Sequence, residues 1–271
     1  MTNEAQRSEE SGLMQLLDAV HCMDNCKGMM LLPDESIDLV VTSPPYDDLR
    51  TYGGHSWDFY GVAWNLARVL KYGGVIVWVV SDGTDNGSET GTSMEQALHF
   101  KRIGLNLHDT MIWNKGGFSQ AGDLSVRYGQ AFEYCFVFSK GKPKAWNPII
   151  DRKNKHAGTK KTGTIRNPDG TLKPMSNTGV IHREIGIRLN VWDMPGQKTG
   201  IGHPAPFPER LALDHIQSWS NKGDIVLDPF IGSGTTAKAA QELGRHYIGF
   251  EINPEYVEIC HRRTAQATLG I

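Results

Sequence analysis

The chain has 271 residues, 39% hydrophobic and 21% charged, which is enough apolar material for one substantial core and excludes a disordered protein. A formal net charge of -2 excludes a protein that is basic throughout, so any nucleic-acid contact must be local. No apolar run approaches the length of a membrane span, the start of the chain is polar and reads as loose, and the four cysteines lack zinc-like clustering with His, so a cytoplasmic protein with reduced thiols is expected.

In chain order, residues 37–41 read as a buried strand, entered from a turn at 33–36 and stopped by Pro44 and Pro45. The apolar spacing of 57–70 predicts an amphipathic helix, which Gly73 and Gly74 end before a strand at 75–80. A helix near 92–102 leads to a strand around 111–113, and 134–138 is another. The last unit is the clearest: a strand at 225–227, a glycine-rich turn, a helix over 235–243 and a strand at 247–250. Apolar runs alternating with helices predict an α/β fold, a mostly parallel sheet with helices on both faces. Trp78, Trp113, Phe136 and Phe138 lie in strand runs and read as core, whereas His215 and His246 read as ordinary surface or helix residues.

Between 141 and 202 the pattern changes to Lys, Arg, Gly, Pro, Asn and Thr, which predicts an insertion and not a continuation of the sheet. It holds 12 Lys and Arg against 4 Asp and Glu, leaving 16 against 26 for the remainder of the chain. Such a run is either a solvated surface or a contact surface; Trp146, His156, His182 and Trp192 within it are planar groups able to meet bases or sugars.

The segment Gly232-Ser233-Gly234-Thr235-Thr236-Ala237 follows a strand, opens a helix, and is followed by Glu251 at the end of the next strand. Glycines there let backbone approach a ligand, the helix start favours a carboxylate or phosphate, and the acidic side chain can accept from ribose hydroxyls, so this is a candidate nucleoside site. Only 20 residues follow Glu251, too few for the second half of a nicotinamide site, so earlier residues must complete the pocket. Thr42-Ser43-Pro44-Pro45-Tyr46 ends a buried strand, at the edge where open α/β sheets bind ligands. Two prolines fix φ and remove two N–H groups, leaving a rigid turn of acceptors. Ser43 Oγ and the Pro44 carbonyl can hold both hydrogens of a base amino group and localise its lone pair for attack, with Tyr46 stacked on the base.

These residues resemble the S-adenosylmethionine-dependent DNA methyltransferases that act on exocyclic amino groups, cytosine N4 or adenine N6. The catalytic element matches at Ser43, Pro44, Pro45 and Tyr46, and the cofactor element at Asp228, Pro229, Phe230, Gly232, Ser233, Gly234, Thr235 and Thr236, with Glu251 beyond it. Their order resembles the circularly permuted β group, and the resemblance covers nearly the whole chain. It implies a Rossmann-like methyltransferase fold with a catalytic half at 1–140, a target-recognition insertion at 141–202 and a cofactor-binding half at 203–271. It adds His203, Pro204 and Phe207 as the helix entry beside the cofactor and Asp24 as acceptor for the cofactor's adenine, although Met23 stands where the family usually has glycine. It implies S-adenosyl-L-methionine as cofactor, double-stranded DNA as substrate with the target base rotated out, and no metal.

Ser43 in the first catalytic position favours cytosine N4, with adenine N6 as the alternative. Carbon-5 methylation is disfavoured because none of the four cysteines follows a proline. An RNA or protein amide methyltransferase and an inactive binding protein are the remaining readings. The resemblance also suggests a homodimer in a bacterial, archaeal or phage-infected cell and leaves a restriction partner open. Asp47 and Asp48 either border the base pocket or are solvated turn carboxylates, and Arg50, Tyr52 and His55 are candidates for a loop that closes over the target base or touches phosphate.

Overall fold

The computed structural model describes residues 11–46, 57–119, 124–196 and 207–269. It forms two compact units, one spanning Pro148–Leu189 and the other the remainder of the chain. Its strands are β1 (Ala19–Cys22), β2 (Ile37–Thr42), β3 (Leu70–Val80), β4 (Thr84–Asp85), β5 (Ser88–Glu89), β6 (Asn106–Ser119), β7 (Gln130–Ser139), β8 (Ile150–Lys153), β9 (Thr164–Arg166), β10 (Leu172–Pro174), β11 (Ile185–Ile187), β12 (Val191–Asp193), β13 (Ile225–Asp228) and β14 (His246–Glu251). Its helices are α1 (Asn25–Met30), α2 (Phe59–Val69), α3 (Thr92–Arg102), α4 (Glu209–Trp219), α5 (Thr235–Glu242) and α6 (Pro254–Leu269).

The larger unit is built on one eight-stranded sheet in the order β1, β14, β13, β2, β3, β7, β6, β12. The first five run parallel, β7 is antiparallel to β3 and β6, and β12 runs parallel to β6. Alternate residues explain the layers, because successive strand side chains point to opposite faces. Val40, Ile76, Trp78, Leu227 and Phe250 join one cluster with Met29 of α1, Val62 and Leu66 of α2 and Phe100 of α3. Their neighbours Leu39, Val41, Val75, Val77 and Val226 are equally buried on the other face, where α4 packs on β2 and α5 on β13 and β14. Runs apolar at every position are therefore what a sheet covered on both sides requires. Trp78, Trp113, Phe136 and Phe138 are all core, each at most 4% exposed.

Two features depart from the expectations. Gly73 and Gly74 do not separate helix from strand: β3 begins at Leu70, immediately after α2, and its register with β2 shifts between the Ile37–Leu70 and Leu39–Val75 pairs. Gly73, at φ 86°, donates to the Lys140 carbonyl at 2.6 Å, and its carbonyl accepts from Lys144, so the glycines bend a strand around a bulge. The second departure is at the far end of the basic segment. Residues 191–193 are β12, paired with Ile112, Trp113 and Asn114, so the sheet does resume inside 141–202. Trp192 is 6% exposed and stacks on His215 with ring centroids 4.6 Å apart, which removes it from the planar groups able to meet DNA. His215 is itself a fully buried residue of helix α4, within the surface-or-helix expectation.

The smaller unit pairs β8 with β11 and β9 with β10, both antiparallel, and Arg188 lays its guanidinium on Asp151. None of its residues is buried. Among the described residues no helix is long and apolar enough to cross a membrane. The first ten residues lie outside those described.

Candidate active site

The place where this sheet can hold a ligand follows from its connections. From β2 the chain passes through α2 to β3 on one side, and from β13 through α5 to β14 on the other, while β2 and β13 are parallel neighbours, with Leu39 opposite Val226 and Val40 opposite Leu227. Diverging connections leave a crevice beyond the carboxyl ends of two such strands. The Ser43–Tyr46 turn leaves β2 there, and the glycine loop leaves β13 there. Segments far apart in sequence thus share one sheet edge, and a hydrogen bond joins them: Thr42 Oγ1 donates to Asp228 Oδ1 at 2.6 Å across 186 residues.

Asp228 is the brace of this edge. Its Oδ1 also accepts from the Phe230 N–H at 3.0 Å, and its Oδ2 accepts from Thr236 Oγ1 at 2.7 Å. The side chain is 1% exposed, and burial pushes its pKa up to about 6 although all three donors favour the charged form. The carboxylate thus faces its own two loops.

Gly232 and Gly234 take φ values of 49° and 84°, and a Cβ on Gly234 would overlap Cys260 Sγ, so at that position α6 leaves room only for hydrogen. Glu251 ends β14 beside this loop: Oε2 accepts from the Gly232 N–H at 3.0 Å and Oε1 from the Asn253 N–H at 2.8 Å. Next along the edge, Asp24 follows β1 and caps α1, accepting from the Lys27 N–H at 2.9 Å, while Met23 N–H donates to the Glu251 carbonyl. The loop itself is held from behind. Arg263 of α6 donates to the Ser233 carbonyl at 2.7 Å and to its Oγ at 3.0 Å, and Ser233, Thr235 and Thr236 are all buried. Pro229 is buried too; Phe230 is partly exposed and meets Trp57 edge-on at 5.0 Å. Phe207 lies partly buried at the entry to α4. His203 and Pro204 lie outside the described residues, as do Asp47, Asp48, Arg50, Tyr52 and His55.

On the β2 side, Pro44 is buried while Ser43, Pro45 and Tyr46 are partly exposed. Ser43 Oγ and Tyr46 Oη are 2.7 Å apart, and Tyr46 Oη donates to Glu133 Oε2 at 2.7 Å. Glu133, 7% exposed on β7, pairs through Oε1 with Lys115 Nζ of β6 at 2.5 Å, and that ammonium also lies 5.4 Å from the centre of the Trp113 ring. Burial first and the Glu133 charge second push the Tyr46 phenol well above its ordinary range, so it remains protonated. Neither Glu133 nor Lys115 stands out in the sequence. The one signal is an acidic residue heading the apolar run 134–138, at a position the pairing of β7 with β6 turns inward.

Comparison with known proteins gives this arrangement a family. The family model described as DNA methylase, covering the N6 and N4 enzymes, matches residues 37–262, and the chain belongs to that family. It is 53% identical over 239 residues to the orphan methyltransferase M.BamHII of Bacillus amyloliquefaciens, covering 85% of this chain and 89% of that protein. Among solved structures, it resembles TTHA0409 of Thermus thermophilus complexed with S-adenosyl-L-methionine (TM-score 0.61, 24% identity, 93% and 97% coverage). The cytosine-N4-specific PvuII DNA methyltransferase shares the fold with a TM-score of 0.62, 21% identity and coverage of 92% and 89%. The chain is therefore a DNA methyltransferase of the N4-cytosine/N6-adenine family with a Rossmann-like fold, and its family uses S-adenosyl-L-methionine.

Proposed function

We propose that this chain moves a methyl group from S-adenosyl-L-methionine to the N4 amino group of cytosine at a specific site in double-stranded DNA. The observation that carries the reading is the Thr42 to Asp228 hydrogen bond, which fastens a turn of amino-group acceptors to a glycine loop suited to a nucleoside. The chemistry of the site fits that cofactor. Glu251, oriented by two backbone N–H groups, is the acceptor for ribose hydroxyls, Asp24 at the next strand end serves the adenine amino group, and Phe230 offers a ring. The loop from Pro229 to Thr236 and the start of α5 take the amino-acid end, with Asp228 shaping them from beneath. His203, Pro204 and Phe207 are assigned to the cofactor as well.

Bound there, the cofactor supplies a methyl group activated by its sulfonium. The protein's part is to make a poor nucleophile reactive. A base amino nitrogen has its lone pair delocalised into the ring; Ser43 Oγ and the Pro44 carbonyl accept its two hydrogens, draw it towards tetrahedral geometry and hold it in line. Tyr46 lies along the base. Ser43 as the leading residue supports cytosine N4 over adenine N6. The unit at 148–189, with nine Lys and Arg against three Asp and Glu, reads the target sequence on the duplex. The protein works in the cytoplasm, as a homodimer, which sedimentation at working concentration checks.

Mass spectrometry of nucleosides from unmethylated duplex DNA treated with protein and labelled cofactor tests the reading. N4-methylcytosine is expected; N6-methyladenine would move the target to adenine, and label in RNA or protein alone would overturn DNA as substrate.

A further inference from the structure

We propose that Glu133, held by Lys115, terminates a hydrogen-bonded relay through Tyr46 that makes Ser43 a pure acceptor and takes up the proton the target amino group gives up. The inference rests on the methyl-transfer reading of the site and adds to it a residue from a strand that the Ser43–Tyr46 turn does not contain.

The direction of the relay follows from counting protons. Lys115 can only donate, so the Glu133 oxygen facing it is an acceptor, and the pair is that of an ammonium with a carboxylate. A carboxylate cannot donate, so the proton between Glu133 Oε2 and Tyr46 Oη belongs to Tyr46. Tyr46 has only that proton. Its oxygen must therefore accept in the 2.7 Å contact with Ser43, and the donor there is the Ser43 hydroxyl. Ser43 has then spent its single proton as well, and its remaining valences are lone pairs. A serine that is free to rotate presents either a hydrogen or a lone pair to an incoming NH2 group, and only the lone pair is productive. Here the carboxylate, two residues removed from the substrate, settles the choice before the base arrives, which is preorganisation of the acceptor.

The same chain provides a path for the product's proton. Methylation forms the N–C bond as the cofactor's S–C bond breaks, leaving the amino nitrogen positively charged with one proton in excess. That proton passes to Ser43 Oγ as the Ser43 proton passes to Tyr46 Oη and the Tyr46 proton to Glu133 Oε2. Charge balances: nitrogen returns to neutral and Glu133 becomes a neutral acid beside Lys115, losing its proton to water when the site reopens. Glu133 and Lys115 touch neither ligand, so they are positioning residues, and Tyr46 gains a role in which its hydroxyl matters as well as its ring.

The test is a set of variants assayed by single-turnover methyl transfer to duplex DNA, with cofactor affinity measured by calorimetry. Tyr46→Phe and Glu133→Ala should each lower the transfer rate on the order of a hundredfold, the range of a lost proton-transfer partner, while KM for DNA and cofactor affinity stay within about twofold. The double variant should be no slower than either single one, and Glu133→Ala placed in a Ser43→Ala background should cost nothing further. A merely structural role would give losses that add. Should Glu133→Ala fail to fold, Tyr46→Phe, which deletes one hydroxyl, still decides the matter. A readout independent of turnover is the carboxylate stretch of Glu133 in difference infrared spectra, assigned with Glu133→Gln, which Tyr46→Phe should shift. Wild-type rates in Tyr46→Phe, additive losses, or an unmoved carboxylate band would each overturn the relay. Wild-type protein that methylates no DNA amino group would instead overturn the reading it rests on, and the infrared result would still judge the Tyr46–Glu133 link.

Discussion

The sheet edge and the unit at 148–189 are ordered in different ways. At the edge, buried residues converge: Asp228 is satisfied by three protein donors, and Gly234 has no room for a methyl group in front of Cys260. In the smaller unit no residue is buried, and its order comes from short antiparallel ladders and exposed polar contacts such as Arg188 on Asp151. Interior packing transmits strain, whereas surface substitutions cost little. On the reading proposed for the two regions, chemistry that needs fixed distances sits on the first and target recognition on the second.

The sharpest way to separate the regions is Ser43→Ala. Loss of one preorganised acceptor should lower turnover by about 100- to 1,000-fold, as for a missing oxyanion-hole donor, with cofactor affinity measured by calorimetry unchanged. Parallel loss of both would mean that Ser43 builds the cofactor pocket instead. Gly234→Ala attacks the same edge through folding. A left-handed φ of 84° and the overlap with Cys260 Sγ together should cost about 3 kcal/mol. Chemical denaturation would show this as a lower midpoint, and an unchanged midpoint would show that α6 yields where the packing implies it cannot.

Asp228 gives the edge a pH signature of its own. Its pKa in the fold is about 6 against an ordinary value of 3.8. An acid raised on folding holds its proton more tightly in the native state, so its stabilising contribution is full below about pH 4 and is lost as pH rises through 6, amounting to about 3 kcal/mol at most. Asp228→Asn removes that titration. The amide oxygen keeps Thr42 and Phe230, and Thr236, whose hydroxyl also lies 3.3 Å from the Val41 carbonyl, can turn to accept from the new NH2 group. Thermal unfolding of both proteins at about pH 5 and about pH 7.5, on either side of the native titration, is the measurement. The variant should gain on the wild type at the higher pH, and a constant difference would refute the shift.

What could be read beforehand divides along physical lines. The Ser43–Tyr46 turn and the loop from Gly232 to Thr236 are written in local terms, prolines and glycines at the ends of apolar runs, and periodicity alone places α2, α3 and the strands around them. The missing parts depend on pairing between distant segments. β12 is three residues inside a basic stretch and is a strand only because β6 offers an edge; β1, four residues long, is one because β14 does. The bulge at Gly73 reflects contacts with Lys140 and Lys144 that no local pattern encodes. Glu133 is the instructive case: it reaches Tyr46 across 87 residues, and its one mark in the sequence, an acidic residue heading an apolar run, does not say which site it serves.

The smallest effect on folding, and the one that tests the other half of the comparison, concerns the basic unit. Lys155, Lys160, Lys161 and Lys173 all belong to it, and Lys155, Lys160 and Lys173 are exposed. Replacing the four with Gln should leave the unfolding temperature of the sheet nearly unchanged, since surface substitutions lie within about 0.5 kcal/mol. Binding to duplex DNA should weaken at every sequence, and the slope of log affinity against log salt should shrink by about 0.9 for each phosphate contact removed. The methylation rate at saturating DNA should hold, because none of these side chains belongs to the edge that holds Ser43. An unchanged salt slope would place the DNA surface elsewhere. A fall in unfolding temperature as large as that of Gly234→Ala would show instead that the unit's ladders support the sheet, and that fold and recognition are not separable in this chain.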